Sequence, residues 1–279
     1  MPELPAHLQG AFGGSSAAEA PGSPADTAGS ANTADSAGTA WAGRDLHPNP
    51  FSGDTGEAVP VLAAALEVVG ANPLDPQAHR GVLEALAGAR LYAPVLPTAV
   101  EHTTDEAGLV HDNRSDMAMV RLAAEDGREC TPGFSDIPTL TAWGTEARPV
   151  PIEAERLCVA AIEEGAQLVV LDPGSDHPFL VRRTALWAFV QGHEWTPAWA
   201  DATVAEACGA VARRFDWIDA VGLAPGSREV HVRGPEITLV LTVADRPDPD
   251  RLAAFQQALA ADPVVVEKVD STRIMLQEG

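Results

Sequence analysis

Gln167-Leu168-Val169-Val170-Leu171-Asp172-Pro173-Gly174-Ser175 decides how this chain folds. The apolar run reads as a buried strand, and Pro173 and Gly174 stand where a type II turn needs a fixed φ followed by a positive one. Phe179-Leu180-Val181 returns as the next strand, and Leu186, Phe189 and Val190 mark a helix closed by Gly192. Upstream, Glu153 to Glu164 carries Leu157, Ala160 and Ala161 on one helical face and stops at Gly165, after a short strand at Pro149-Val150-Pro151-Ile152.

Further toward the N-terminus, Val61, Leu62, Ala65, Leu66 and Val69 recur at helical spacing, and Asp75 with Pro76 starts a second helix bearing Val82, Leu83 and Leu86. Leu91 to Leu96 reads as a strand in which Pro94 favours an edge or a bulge. An acidic loop with histidines, Glu101 to Asp116, leads to a strand at Met117–Leu122, turned at Glu125-Asp126-Gly127-Arg128 into a partner ending near Phe134. Asp136 is placed to cap a short helix through Leu140 and Trp143.

Beyond Pro197, which sits between Trp195 and Trp199, the pattern predicts a small α+β unit. A helix is expected from about Val204 to Phe215 and a strand over Ala220–Leu223. An antiparallel pair is expected from Glu229–Val232 and Ile237–Val243, then a helix over Pro249–Ala261 and strands at Val264–Val269 and Thr272–Leu276. That order predicts a mainly antiparallel sheet with helices on one face. Residues 1–56 are different material. They are rich in Ala, Gly, Ser and Pro and hold no Val or Ile, so they read as a disordered acidic leader, with Trp41 and Phe51 as a conceivable docking motif. The expected organisation is α+β, with the leader at 1–56, one small mixed domain at 57–200 and a second at 201–279.

Composition limits the function. The 279 residues include 18 Lys+Arg against 40 Asp+Glu, a formal charge of −22, which excludes the clustered cations that nucleic-acid binding needs. Lys268 is the sole lysine. No apolar run is long enough for a membrane span, and Met1–Gly10 lacks the pattern of a secretory signal. Cys130, Cys158 and Cys208 are odd in number and widely spaced, which fits buried small hydrophobes in a reducing cytoplasm.

No catalytic, cofactor or metal set stands out. The Glu101–Asp116 stretch, with His102 and His111 nine residues apart, lacks the spacing of a calcium loop and reads as a solvated connection. Gly165-Ala166-Gln167 and Asp172-Pro173-Gly174-Ser175 match no phosphate-loop fingerprint. Ser175-Asp176-His177 are consecutive, and three consecutive residues rarely converge as a triad. Arg182-Arg183 and Arg213-Arg214 read as partners of neighbouring acids, and the cluster Trp187, Trp195, Trp199 and Trp217 as cement between the two units.

The order of segments resembles a known family. Arg90-Leu91-Tyr92-Ala93-Pro94-Val95, Asp116-Met117-Ala118-Met119-Val120 and Pro132-Gly133-Phe134-Ser135-Asp136-Ile137-Pro138-Thr139-Leu140 look like the N-terminal domain of the SseB (enhanced serine sensitivity protein B) family. Pro149-Val150-Pro151, Glu164-Gly165-Ala166 and Leu171-Asp172-Pro173-Gly174-Ser175 continue that resemblance over about Val59–Gly192, and the remainder is similar to the family's more variable C-terminal domain. Phe134-Ser135-Asp136 stands where the family often has Phe-Thr-Ser, and Asp172 where it often has Asn; both changes keep turn and capping chemistry. Ala and Arg usage points to an actinobacterial-type member. The resemblance marks Phe134, Ser135, Asp136, Leu140, Gly165, Asp172, Pro173 and Gly174 as structural or interaction positions and brings no catalytic residue or cofactor. Two compact units, a flexible acidic leader and no convergent catalytic set give the expectation of a non-enzymatic regulatory or adaptor protein with a protein partner. The alternative is a small-molecule sensor, for instance of an amino acid, or an enzyme with a pocket between the two domains.

Overall fold

The computed structural model describes residues 51–96, 103–104, 110–111 and 120–279. The readings of Trp41, of residues 1–50 of the leader and of most of the acidic stretch lie outside them. Helix α1 (Pro60–Ala71) turns into α2 (Pro76–Leu86), where the Asp75 carboxylate accepts the Gln77 N–H at 2.9 Å and Pro76 occupies the first helical position. Strand β1 (Arg90–Val95) pairs antiparallel with β6 (Arg148–Glu153), where Pro94 faces Pro149, so two residues without an N–H share one register step, and Tyr92 on its other side bridges Phe134 through two backbone hydrogen bonds. The stretch read as a loop carries a two-residue ladder between β2 (Thr103–Thr104) and β3 (Val110–His111).

A four-stranded sheet runs in the order β4 (Leu122–Ala123), β5 (Glu129–Gly133), β7 (Leu168–Leu171), β8 (Phe179–Val181). The β4–β5 turn puts Gly127 at φ +82°, and β5 lies parallel to β7. Between them the chain forms α3 (Ile137–Trp143), β6 and α4 (Ala154–Glu163). The Asp172–Ser175 turn closes with a 3.1 Å bond from the Ser175 N–H to the Asp172 carbonyl, and Gly174 takes φ +81°. Helix α5 (Arg183–Gln191) follows and ends on Gly192 in the left-handed region.

The C-terminal part has its own apolar core, built from residues between Ala198 and Val269, with Phe255, Leu239 and Leu241 at its centre and Phe215 and Trp217 edge-on to Phe255. Helix α6 (Ala202–Ala212) is capped by Asp201, whose carboxylate accepts the Thr203 N–H at 2.8 Å and the Lys268 ammonium at 2.8 Å. Then come β9 (Ala220–Pro225), β10 (Ile237–Val243), α7 (Pro249–Ala260), α8 (Pro263–Lys268) and β11 (Thr272–Glu278), with the sheet ordered β11-β10-β9. Gly226, after β9, passes so close to Pro235 that a Cβ would lie 1.7 Å from its carbonyl oxygen. Among the described residues no helix is long and apolar enough to cross a membrane.

Three expectations are corrected. Val264–Val269 is mostly helix, because the Asp262 carboxylate accepts the N–H groups of Val264 and Val265 and Pro263 pre-sets the first turn; that cap outweighs the strand preference of three valines. Glu229–Val232 forms turns, with the N–H groups of Val232 and Arg233 both donating to the Glu229 carbonyl. The sheet is mixed: β10 pairs antiparallel with β9 and parallel with β11. With α7 and α8 both helical, the link from β10 to β11 is a crossover long enough to return the strand in the same direction.

Candidate functional site

Phe134, Ser135, Asp136, Leu140, Asp172 and Gly174 converge on one knot. Phe134 is fully buried among Tyr92 and Leu140, with the Trp143 ring centroid 5.3 Å from its own. The Ser135 N–H donates to the buried Asp172 carboxylate at 2.7 Å, across 37 residues, and burial raises the pKa of that carboxyl. Asp172 takes φ +47°, the left-handed conformation that Asp and Asn tolerate best after glycine. Asp136 caps α3 by accepting the Thr139 N–H at 2.6 Å, and Arg90 donates to the Ser135 carbonyl at 2.7 Å with its guanidinium over the Tyr92 ring. Trp143 packs beside Gly174. Gly165 is not part of the knot: at φ +85° it ends α4, before the opposite end of β7. Phe134, Ser135, Leu140 and Asp172 are buried, whereas Asp136, Trp143 and Pro173 are half-buried and Gly174 is exposed.

A second convergence is ionic. Arg128 donates to both oxygens of Asp270 at 2.8 and 2.9 Å; Arg182, itself buried, approaches the same carboxylate at 3.4 Å and donates to the carbonyls of Val230 and Gly234. The cations hold the Asp270 carboxyl below the usual range against the opposing effect of burial. Glu236, fully buried, accepts the Ala198 N–H at 3.1 Å and the Asp270 N–H at 2.7 Å, and its burial pushes its pKa up to about 7. Arg182 therefore does pair with an acid, whereas Arg183 donates to the carbonyls of Val266 and Val269.

One accessible feature is a groove of about 410 Å³. One wall is a face of α2, where Arg80, Leu83, Glu84 and Ala87 recur at i, i+3, i+4 and i+7. Glu155 in the first turn of α4, Phe189 of α5 and the segment from Gly192 to Thr196 complete it. Trp195 is fixed there by its indole N–H, which donates to the Thr184 hydroxyl at 3.2 Å. Leu83, Phe189 and Trp195 supply an apolar surface, and Glu84, Glu155 and Glu194 surround it with carboxylates. Among the described residues these three acids and Arg80 form no ion pair. Sequence reading missed the groove; its signal was the α2 face, where the outer positions carry charge beside Leu83.

The nucleophile-like residues lie elsewhere. Burial pushes the thiols of Cys130 and Cys158 up to about 12 and that of Cys208 to about 11, so they are neutral at physiological pH. The Ser175 hydroxyl accepts the His177 backbone N–H at 3.1 Å, a local turn contact. Among the described residues no group of three or more His, Cys, Asp or Glu side chains is arranged to hold a metal ion.

Comparison with known proteins places this architecture. Residues 62–188 match the family model described as SseB protein N-terminal domain, which spans α1 through most of α5 and includes the knot at Phe134 and Asp172. No curated protein and no solved structure matches the chain.

Proposed function

We propose that this chain, which carries an SseB N-terminal domain over residues 62–188, is a non-enzymatic interaction protein with a regulatory or adaptor role. In this reading the groove beside α2 receives a partner segment in which Arg or Lys flanks a large apolar side chain. The observation that carries it is the charge pattern: Glu84, Glu155 and Glu194 are exposed around Leu83, Phe189 and Trp195 and form no ion pair among the described residues. Exposed unpaired acids beside an apolar floor favour a cationic, amphipathic occupant, and the chain's charge of −22 would draw such a partner in.

The test is a peptide array probed with the full chain. Peptides with Arg or Lys next to Leu, Phe or Trp should bind best, more weakly as salt rises, and the Glu84→Lys/Glu155→Lys double variant should lose about tenfold or more in affinity, as expected for reversed charge at an interface. Selection of peptides regardless of charge, or binding untouched by the double reversal, overturns the reading. A second reading, capture of a free amino acid, draws on Arg80 sharing the groove with the three acids, so that both ends of a zwitterion find an opposite charge. Saturable calorimetric binding of a free amino acid, lost in Arg80→Ala, would put it first.

A further inference from the structure

The C-terminal sheet has two edges, and they are unlike. On β9, Gly222 and Pro225 interrupt the edge, and proline has no N–H to offer another strand. On β11, Thr272-Arg273-Ile274-Met275-Leu276-Gln277-Glu278 is seven regular residues with neither proline nor glycine, and among the described residues it pairs only with β10. Its charges, Arg273 and Glu278, sit toward the ends; the centre is Ile274-Met275-Leu276, with Met275 51% exposed. Natural edges are usually blunted by a central charge, a bulge or a proline. This one is not.

The ladder to β10 fixes what the outer side presents. The Ile237 N–H donates to the Ser271 carbonyl at 3.1 Å, and the Gly279 N–H to the Val243 carbonyl at 3.1 Å. In a parallel pair, alternation between those ends turns Arg273, Met275 and Gln277 toward β10. The N–H and C=O groups of Thr272, Ile274, Leu276 and Glu278 therefore point outward.

We propose that this edge is occupied by β11 of a second copy of the chain, antiparallel about a two-fold axis at Met275, joining two three-stranded sheets into one. This register pairs all seven residues and gives every outward backbone group a partner. Thr272 then faces Glu278 of the other copy, Ile274 faces Leu276, Arg273 faces Gln277, and Met275 meets its own equivalent. Apolar meets apolar in the centre, and no like charges stand opposite each other. The strand is self-complementary, as an isologous contact requires. Because facing residues share a side of the sheet, Ile274 and Leu276, both half-buried against the core, extend that core across the junction. The strand's own two charges cancel, but each copy carries −22 in all, so association strengthens as salt screens the repulsion.

The full chain should show a concentration-dependent monomer–dimer equilibrium in sedimentation, tighter at higher salt, and Met275→Glu should weaken it about tenfold or more by placing two carboxylates together. Met275 is exposed, so that variant should keep the native thermal midpoint. A cysteine arm keeps the test decisive should it not. Facing residues at a non-hydrogen-bonded position lie about 4.5 Å apart at Cα, within disulfide reach. Met275→Cys should thus oxidise to a covalent dimer, and Gln277→Cys, which faces Arg273, should not. The native cysteines are buried and leave the background clean. A monomer at every concentration with no Met275→Cys dimer overturns the proposal, even if that monomer accepts an extended peptide at the edge. So does a dimer indifferent to Met275→Glu, or equal cross-linking through Gln277→Cys.

Discussion

Arg128 and Asp270 are 142 residues apart in sequence, and two parallel N–H···O bonds at 2.8 and 2.9 Å join them. The carboxylate side chain is fully shielded from solvent, and the Arg183 N–H and the Ser271 hydroxyl also donate to it. Asp270 thereby holds Arg128, from the β4–β5 turn, and Arg182, at the start of α5, against the end of the C-terminal sheet.

Removing Asp270 strands a buried cation. Asp270→Ala should cost roughly 3–5 kcal/mol, because Arg182 loses its nearest counter-charge in a site from which water is excluded. Arg128→Ala should cost less, since the carboxylate keeps Arg182 and two other donors. Chemical denaturation of both variants checks the order; equal losses would mean that Arg182 does not depend on this carboxylate.

The proton inventory at the same junction has opposing slopes. Glu236 has a folded pKa of about 7, above its unfolded value, so its contribution is fully present below about 4.5 and lost as pH rises through 7. His79, buried against Phe179 and Trp199 and donating a ring N–H to the Pro73 carbonyl at 2.8 Å, has its pKa pushed down by burial to about 4. Its contribution is present above about 6.5 and lost as pH falls through 4. Each is worth about 3 kcal/mol, and between pH 4.5 and 6.5 they offset one another. Relative to the native chain, Glu236→Gln should therefore gain stability steadily from pH 4.5 to 7, apart from a constant offset, and His79→Phe should gain as pH falls from 6.5 to 4. Melting curves across pH read both; a Glu236→Gln difference that is flat in pH would sink this account.

The knot predicts a graded series. Phe134→Ala should cost about 3–5 kcal/mol as a truncation in a filled core, and Asp136→Ala about 1 kcal/mol as a lost cap. Asp172→Asn keeps both the acceptor for Ser135 and the tolerance for positive φ while removing a buried charge, so it should be neutral or stabilising at pH 7. Asp172→Ala should destabilise by a few kcal/mol, having neither property. A destabilised Asp172→Asn together with a harmless Asp172→Ala would show that the Ser135 bond carries little.

Much of this was legible locally. Asp75-Pro76, Asp136 and the Asp172–Ser175 turn announce themselves because a cap or a turn is set by three or four neighbours. The valine run at 264–266 favours a strand on β-branching alone, and the Asp262-Pro263 helix start overrides it. That Asp172 is buried and bonded to Ser135, or that Asp270 gathers two arginines, is written in no local pattern. Each depends on which strands become neighbours, and a short stretch of sequence does not state that. The groove beside α2 was illegible for the same reason: one of its walls was visible as a helix face, but Glu155, Phe189 and Trp195 join it only through packing.

Lys268 is the one side-chain amine on the whole chain, and its ammonium is engaged by the Asp201 carboxylate at 2.8 Å and the Thr203 hydroxyl at 2.9 Å. Any chemistry addressed to lysine, whether acylation, reductive methylation or attachment of a tagging protein, thus has a single side-chain address here. Neutralising that nitrogen by acylation removes the counter-charge of the residue that starts α6, so the reaction would report on the integrity of that helix. A label placed by lysine chemistry would likewise mark one known point at the end of α8.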